Sequence, residues 1–216
     1  MFGIGQKAGI NLLNRLWSRY GVYEGTVLEI MGELGDEASV EFHGGFVSIM
    51  QQFPEVKIES KEAQDWSFEK AAGIAEDWLT AHPETDAIYC HSDWLTQAIP
   101  PVLKRLGYQP VGEEPHIFVL SSGAMPFGLP YVEEGYIDMD TEIPILKTSK
   151  IAAYWAVQLA EGKSIPDRVQ LVEPGMSLEW LDATAEVMEE PWGPTVEIPG
   201  AVIGKANADD PDVWGN

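Results

Sequence analysis

The sequence holds a single cysteine, Cys90, so no internal disulfide can staple the chain. Cys90 stands in an apolar run and reads as a small buried hydrophobe. Basic residues are scarce: Lys and Arg total 13 against 35 Asp and Glu, a formal net charge of −22. With no basic surface to release counterions from a phosphate backbone, nucleic acid is disfavoured as a partner, and so is an anionic membrane. An acidic, Lys-poor surface of this kind suits high external salt, which screens its self-repulsion. No apolar run reaches the roughly 18 residues of a membrane span. The N-terminus, MFGIGQKAGINLLNRLW, lacks the apolar core and small-residue cleavage site of a secretory leader.

Chemistry-bearing motifs are missing too. Neither P-loop nor GxGxxG spacing occurs, and in Gly32-Glu33-Leu34-Gly35 the glutamate would repel a phosphate. The histidines His43, His82, His91 and His116 are isolated, with no second ligand at metal spacing, so neither metal nor cofactor is expected. Ser121-Ser122-Gly123 lacks the GxSxG elbow, and no histidine downstream of it completes a triad, which argues against an acyl-transfer enzyme.

What is present is a folded α/β chain, 45% hydrophobic with eight tryptophans. Helical spacing covers Gln6–Tyr20, Asp36 to about Phe53 with Asp36 as cap, Ser67–His82, Gly128–Glu134 and Leu146–Gly162. Strand patterns cover Thr26–Met31, Val56–Ser60, Ala87–Tyr89 with Cys90, His116–Leu120, Tyr136–Thr141 and Val169–Val172. This alternation predicts a mostly parallel sheet with helices on both faces. The pattern stops after Met188, dividing the chain into a lobe, 1–188, and an irregular acidic Pro/Gly-rich tail, 189–216, expected to wrap the surface or stay disordered.

The organising stretch is Asp86–Gly107, DAIYCHSDWLTQAIPPVLKRLG: a buried strand, a polar turn and a helix capped by Ser92 or Asp93. Ligands of open α/β sheets sit beyond the carboxyl ends of the strands. Polar and aromatic residues recur at those ends: Glu33, Trp66, Ser92 with Asp93, Ser122 and Glu142. Each alone reads as a cap or a surface residue. Together they would ring one mouth, with carboxylates and hydroxyls for sugar hydroxyls and an indole to stack on a sugar face. That composition suits binding, not catalysis.

From about Gly9 to Asp182 the chain resembles the second lobe of type I periplasmic sugar-binding proteins, the ribose- and galactose-type solute-binding components of ABC importers. The resemblance rests on VLEIMGELGDEASVEFHGGF, QDWSFEKA, EDWLTAHPETDAIYCHSD, the helix continuing to LKRLGY, and YVEEGYIDMDTEIP with the amphipathic helix ending EGKSIP. It implies a periplasmic-binding-protein-like lobe of flavodoxin-like topology, a periplasmic or extracellular location, and a non-enzymatic role. It makes Trp66 the stacking aromatic and Asp93 a hydroxyl acceptor, and it implies a sugar or polyol as ligand with an ABC permease as partner.

The chain departs from the family at several positions. Ser92-Asp93 stands where Asn-Asp is common, Ser122 where an Asp is found, Glu142 where Gln is frequent, and Phe42 where a ligand-binding Arg is expected. Exchanging a guanidinium fork for an aromatic ring alters which ligand is held. Family members also carry a further lobe of roughly one hundred residues before the equivalent of Gly9. The helix 146–162 packs on that lobe in the family. A truncated or split member is therefore expected, with self-association through 146–162 as a possible consequence. Rival readings are the ligand-sensing domain of a transcriptional regulator or receptor, and a degenerate lobe kept as a non-binding interaction module.

Overall fold

A computed structural model describes residues 1–170, 184–191 and 193–216. Helix α1 (Phe2–Tyr20) leads into β1 (Gly25–Met31), α2 (Glu37–Met50), β2 (Val56–Glu62), α3 (Phe68–Ala81) and β3 (Ala87–Cys90). Then come α4 (Asp93–Thr96), α5 (Ile99–Leu106), β4 (Phe118–Gly123), α6 (Leu129–Glu134), β5 (Met139–Glu142) and α7 (Ile145–Ala160). Five short strands complete the order: β6 (Arg168–Gln170), β7 (Thr184–Glu186), β8 (Met188–Glu190), β9 (Gly193–Thr195) and β10 (Val202–Ile203).

The main sheet runs β10-β5-β4-β3-β1-β2, parallel except for β10, which pairs antiparallel with β5. Its parallel part has the flavodoxin-like order, with helices on both faces. Strands buried on both sides read as continuous apolar runs, and β3 and β4 are buried at every position. One face is covered by α1 and α2, which pack Leu12, Leu16, Phe46 and Met50 on Val27, Tyr89 and Leu120. The other carries α3 to α6, with Leu79, Leu95, Ile99, Leu103 and Val132 over Leu28, Ile30, Ile88 and Val119. Helices α1 and α2 cross at two glycines. A Cβ added at Gly5 would lie 2.2 Å from the Phe42 carbonyl oxygen, and one at Gly45 would lie 2.0 Å from that of Phe2.

Several boundaries differ from the sequence reading for local reasons. The helix expected to run on from Ser92 breaks between α4 and α5, because Pro100 and Pro101 offer no amide to an α-helical ladder and restart the helix at its first turn. Ser92 is the cap: its Oγ accepts the Trp94 amide at 3.2 Å, which leaves Asp93 free for other partners. Strand β4 extends past Leu120, where the strand pattern of the sequence ends, through Ser121 and Ser122, because β5 offers them a parallel partner. The expected last strand, Val169–Val172, is represented by β6, which pairs antiparallel with β7 outside the main sheet; residues 171 and 172 lie outside the described residues.

Of the two expectations for the tail, wrapping and disorder, the structure has the first and takes it further: β10 closes the β5 edge, and Ala201, Ile203, Ala208 and Val213 join the core. An unpaired parallel edge exposes backbone donors and acceptors, and a two-residue strand suffices to cover β5. Apolar residues scattered singly between Pro, Gly and Asp carry no periodicity, which is why the pattern gave no sign of it. Helix α7, by contrast, leaves Leu146, Tyr154, Val157 and Leu159 about half exposed or more.

Two stability measurements check these points. Gly5→Ala is expected to lower the free energy of unfolding by about 3 kcal/mol, since backbone rather than a flexible side chain must yield. Gly44→Ala, with its nearest atoms 3.5 Å away, should not show that loss. Ile203→Ala should cost about 2–4 kcal/mol, read as a lower urea midpoint at unchanged slope, whereas a loose tail would give no change.

Candidate functional site

The carboxyl ends of the parallel strands open on one edge of the sheet. After β2, the Ala63 amide donates to the Met31 carbonyl at 2.8 Å, and a single 3-10 turn, Gln64–Trp66, brings the chain across the end of β1. Asp65 and Trp66 both adopt left-handed backbone angles, φ 61° and 52°. That conformation costs about 1–2 kcal/mol per residue and is held here by acidic acceptors. Glu33 Oε2 accepts the Asp65 amide at 2.7 Å, and Asp36 Oδ2 accepts the Trp66 indole N–H at 3.3 Å. The indole is laid directly over Gly32, where a Cβ would meet three ring carbons at 2.2–2.4 Å. Trp66 stays half-buried, a fixed aromatic plate at the strand ends.

Beneath this plate lies a buried carboxylate that sequence reasoning missed. Glu29 in β1 is fully buried and accepts from His43 Nδ1 at 2.8 Å, Ser60 Oγ at 2.6 Å and His91 Nε2 at 3.0 Å. Burial pushes Glu29 up, but the hydrogen bonds from His43 and His91 and the attraction of His91 outweigh it and hold the acid at about 2. The bond to Glu29 raises His43, whereas burial lowers His91. On its other side His91 Nδ1 lies 3.4 Å from the Gly32 amide and 3.3 Å from Ser39 Oγ. The histidine thus connects the buried acid to the glycine under Trp66. Its signal in the sequence was one acidic residue inside the apolar strand TVLEIM; the histidines looked isolated because their shared partner is distant in the chain.

Asp93 is fully buried. It accepts from Ser121 Oγ on one oxygen and from the Met125 amide at 2.7 Å on the other. Asp140, another residue not singled out from sequence, accepts the Ala124 amide at 3.1 Å. Successive amides thus bring the two carboxyls close together, and burial raises both, Asp140 well above the usual range with the charge of Asp93 adding to it. Alternation in Ile137-Asp138-Met139-Asp140-Thr141-Glu142 could have revealed Asp140, since period-two spacing places Asp138, Asp140 and Glu142 on one strand face.

The remaining candidates are separated. Ser122 pairs with Thr141 across β4 and β5; it is fully buried, and its Oγ has no partner among the described residues. Glu142 is buried and ties down the tail, accepting from the Ala201 amide at 3.4 Å and the Trp214 amide at 3.3 Å, with Lys147 Nζ at 3.6 Å. Phe42 is buried in α2 with its ring 5.5 Å from that of His91. The structure therefore groups Glu33 with Trp66, and sets Ser92 beside Asp93. Ser122 and Glu142 lie on neighbouring strands but outside that group.

A cavity of about 500 Å³ lies between the start of α1, the start of α7 and residues 195–200, and none of the seven candidates lines it. A smaller one of about 200 Å³ is lined by Glu142, Lys147, Lys150, Asp212 and Trp214. Among the described residues no cluster of His, Cys, Asp and Glu has metal-holding geometry, and no helix is long and apolar enough to cross a membrane.

The profile described as "Periplasmic binding protein domain" matches residues 2–164. No curated protein sequence matches the chain. Among solved structures, the chain is similar to an ABC transporter solute-binding protein from Actinobacillus succinogenes with bound D-allose (19% identity, 97% of this chain and 61% of that one, TM-score 0.71). It is similar to a carbohydrate transporter solute-binding protein from Agrobacterium radiobacter in complex with D-arabinose (15% identity, 98% and 61%, TM-score 0.74). It is also similar to the fructose-binding periplasmic domain of a hybrid two-component system (22% identity, 95% and 58%, TM-score 0.65). The chain spans about six tenths of the length of these structures.

The buried acid makes stability pH-dependent. Because folding depresses Glu29 from 4.5 to about 2, its contribution is complete above the unfolded value and fades as pH falls between them. Glu29→Gln is expected to cost about 3 kcal/mol near neutral pH and progressively less as pH drops through that window. Urea unfolding of both proteins from neutral pH to pH 3 reads the convergence.

Proposed function

We propose a function for this chain from one premise, that it belongs to the periplasmic binding protein domain family, whose members bind and do not catalyse. On that premise the strand-end residues are half of a binding site for a sugar or polyol. The protein is then the substrate-binding component, or one lobe of it, of an ABC-type importer working on the periplasmic or extracellular side of a membrane.

The observation that carries the reading is the Trp66 plate. An indole held over a glycine by two acidic acceptors, with strained backbone on either side of its peptide bond, is costly to build for packing alone. A fixed aromatic surface with carboxylates beside it matches what a sugar ring presents, apolar C–H groups on its faces and hydroxyls at its rim. Sugars bound by neighbours of the same fold support the ligand class. The half-exposed apolar residues of α7 support a partner surface there, read as the seat of a second lobe. An ABC permease is the partner of the closed, two-lobed form.

A second reading is favoured by the likeness to the fructose-binding domain of a two-component system: the same lobe as the sensor of a membrane receptor. Both readings require sugar binding and differ in the partner that responds to it.

The test is a tryptophan-fluorescence titration with pentoses, hexoses and polyols, run on the chain and on Trp66→Ala. Expected is a saturable change for at least one saccharide, with affinity reduced more than tenfold in the variant, the scale of about 1.4 kcal/mol of lost stacking and desolvation. Saturable binding unaffected by the substitution would move the site away from Trp66. No response to any sugar would leave the lobe as a non-binding interaction module.

A further inference from the structure

Behind the mouth, two buried acids lie close together, and among the described residues no cation is bonded to either. Asp93, the first residue of α4, and Asp140 in β5 meet on the face of the sheet covered by α3 to α6. Successive amides of the loop after β4 hold them, Ala124 on Asp140 and Met125 on Asp93. The loop backbone is pressed onto this pair: a Cβ at Gly128 would lie 2.7 Å from the Asp93 carboxyl, and one at Gly123 would lie 3.1 Å from it. Asp140 Oδ1 is buried and receives no donor from the described residues, so it is the oxygen that can carry a proton toward Asp93.

We propose that Asp93 and Asp140 share one proton, and that this proton latches the loop 123–128 over the ends of β3, β4 and β5. The chemistry is that of two carboxyls in contact: both cannot ionise side by side in a dry site, so the pair retains one proton until pH forces it off. Among the described residues, the surroundings offer no substitute for that proton. From β3 come Cys90, whose thiol burial pushes up to about 12, and Tyr89, raised by burial, both neutral. From β4 comes the Ser121 hydroxyl, bridged to Thr96 at 2.7 Å. Just before β5, Asp138 is taken up by Arg15 and His116, and at its end Glu142 has Lys147. Helix α3, packed on α4, buries none of its charged side chains. The loop and the first turn of α6, residues 123–132, hold no charged residue, and the tail meets this loop through Gly215 and the indole of Trp214, both uncharged.

When the proton leaves, two like charges face each other and the amides of Ala124 and Met125 are their remaining stabilisation. Ala124 already sits at φ 53°, a conformation an alanine gives up readily. Release travels outward, because Gly123 O accepts the Trp214 indole N–H at 2.6 Å and the Ile143 amide at 3.2 Å, joining the loop to the tail and to the entry of α7. The direction is fixed by linkage. Both acids are raised on folding, so the latched state is complete at low pH and is lost as pH rises.

The test needs no ligand and so stands apart from the sugar-binding proposal. Amide hydrogen exchange at Ala124 and Met125 is followed against pH and corrected for intrinsic exchange, in the wild type and in Asp140→Asn, whose amide donates the same hydrogen bond without titrating. Expected is protection that falls about tenfold per pH unit above the release of the proton in the wild type, and stays flat in the variant. Infrared spectroscopy of the wild type at neutral pH supplies the second readout, independent of any variant's folding: the carbonyl band of a protonated acid that vanishes at higher pH. Absence of that band at neutral pH overturns the proposal, and so does an undiminished pH dependence in a folded Asp140→Asn.

Discussion

The constraint on which this structure depends is that acids buried in or beside the parallel sheet must each be satisfied from within the protein. An ionised carboxylate taken out of water without partners costs far more than a domain's net stability. The fold answers differently at each position. Glu29 is held by two histidines and a serine, Asp138 by an arginine, a histidine and the Val119 amide, and Glu142 by a lysine and two tail amides. Asp93 is held by the Ser121 hydroxyl and the Met125 amide, and Asp140 by the Ala124 amide. In a chain with 13 basic residues against 35 acidic ones, cations are scarce, so backbone amides and histidines take much of the work that arginine and lysine do elsewhere.

That scarcity links parts of the chain that would otherwise be independent. Glu142 draws its amides from Ala201 and Trp214, so the strand end and the last turn of the tail stand or fall together. The Trp214 indole then reaches Gly123, and the loop that carries Gly123 is the one fastened to Asp93 and Asp140. On the opposite side, Glu29, His91, Gly32 and Trp66 form a comparable column from the core to the aromatic plate. The mouth is thus rigid at the β1–β2 end, where the acid is charged and fully paired. It is conditional at the β4–β5 end, where Asp93 and Asp140 are held by a hydroxyl and two loop amides and by no cation among the described residues.

Much of the fold was legible because parallel strands buried on both faces leave continuous apolar runs, and helices leave a 3.6-residue stripe. Thr26–Met31 and Ala87–Cys90 were found for that reason, as was the helix of Ser67–His82. The split between α4 and α5 was written in Pro100-Pro101 but overridden by a helical stripe that continued across it. The tail was illegible, since its four core residues are isolated among turn formers and gain meaning only from the β5 edge they cover. Of the candidate site, Trp66 and Glu33 were legible as a pair of strand-end residues. The engagement of Asp93 with Asp140 was not, because 47 positions of chain separate them.

The sequence by itself determined the α/β class, the family, the position of the strand ends and the acidic balance of the chain, because composition and periodicity are local properties. Only the tertiary structure decided which acids are charged, which are buried, and which of the strand-end residues face each other. Those outcomes depend on desolvation and on partners distant in the chain, and no local pattern encodes either.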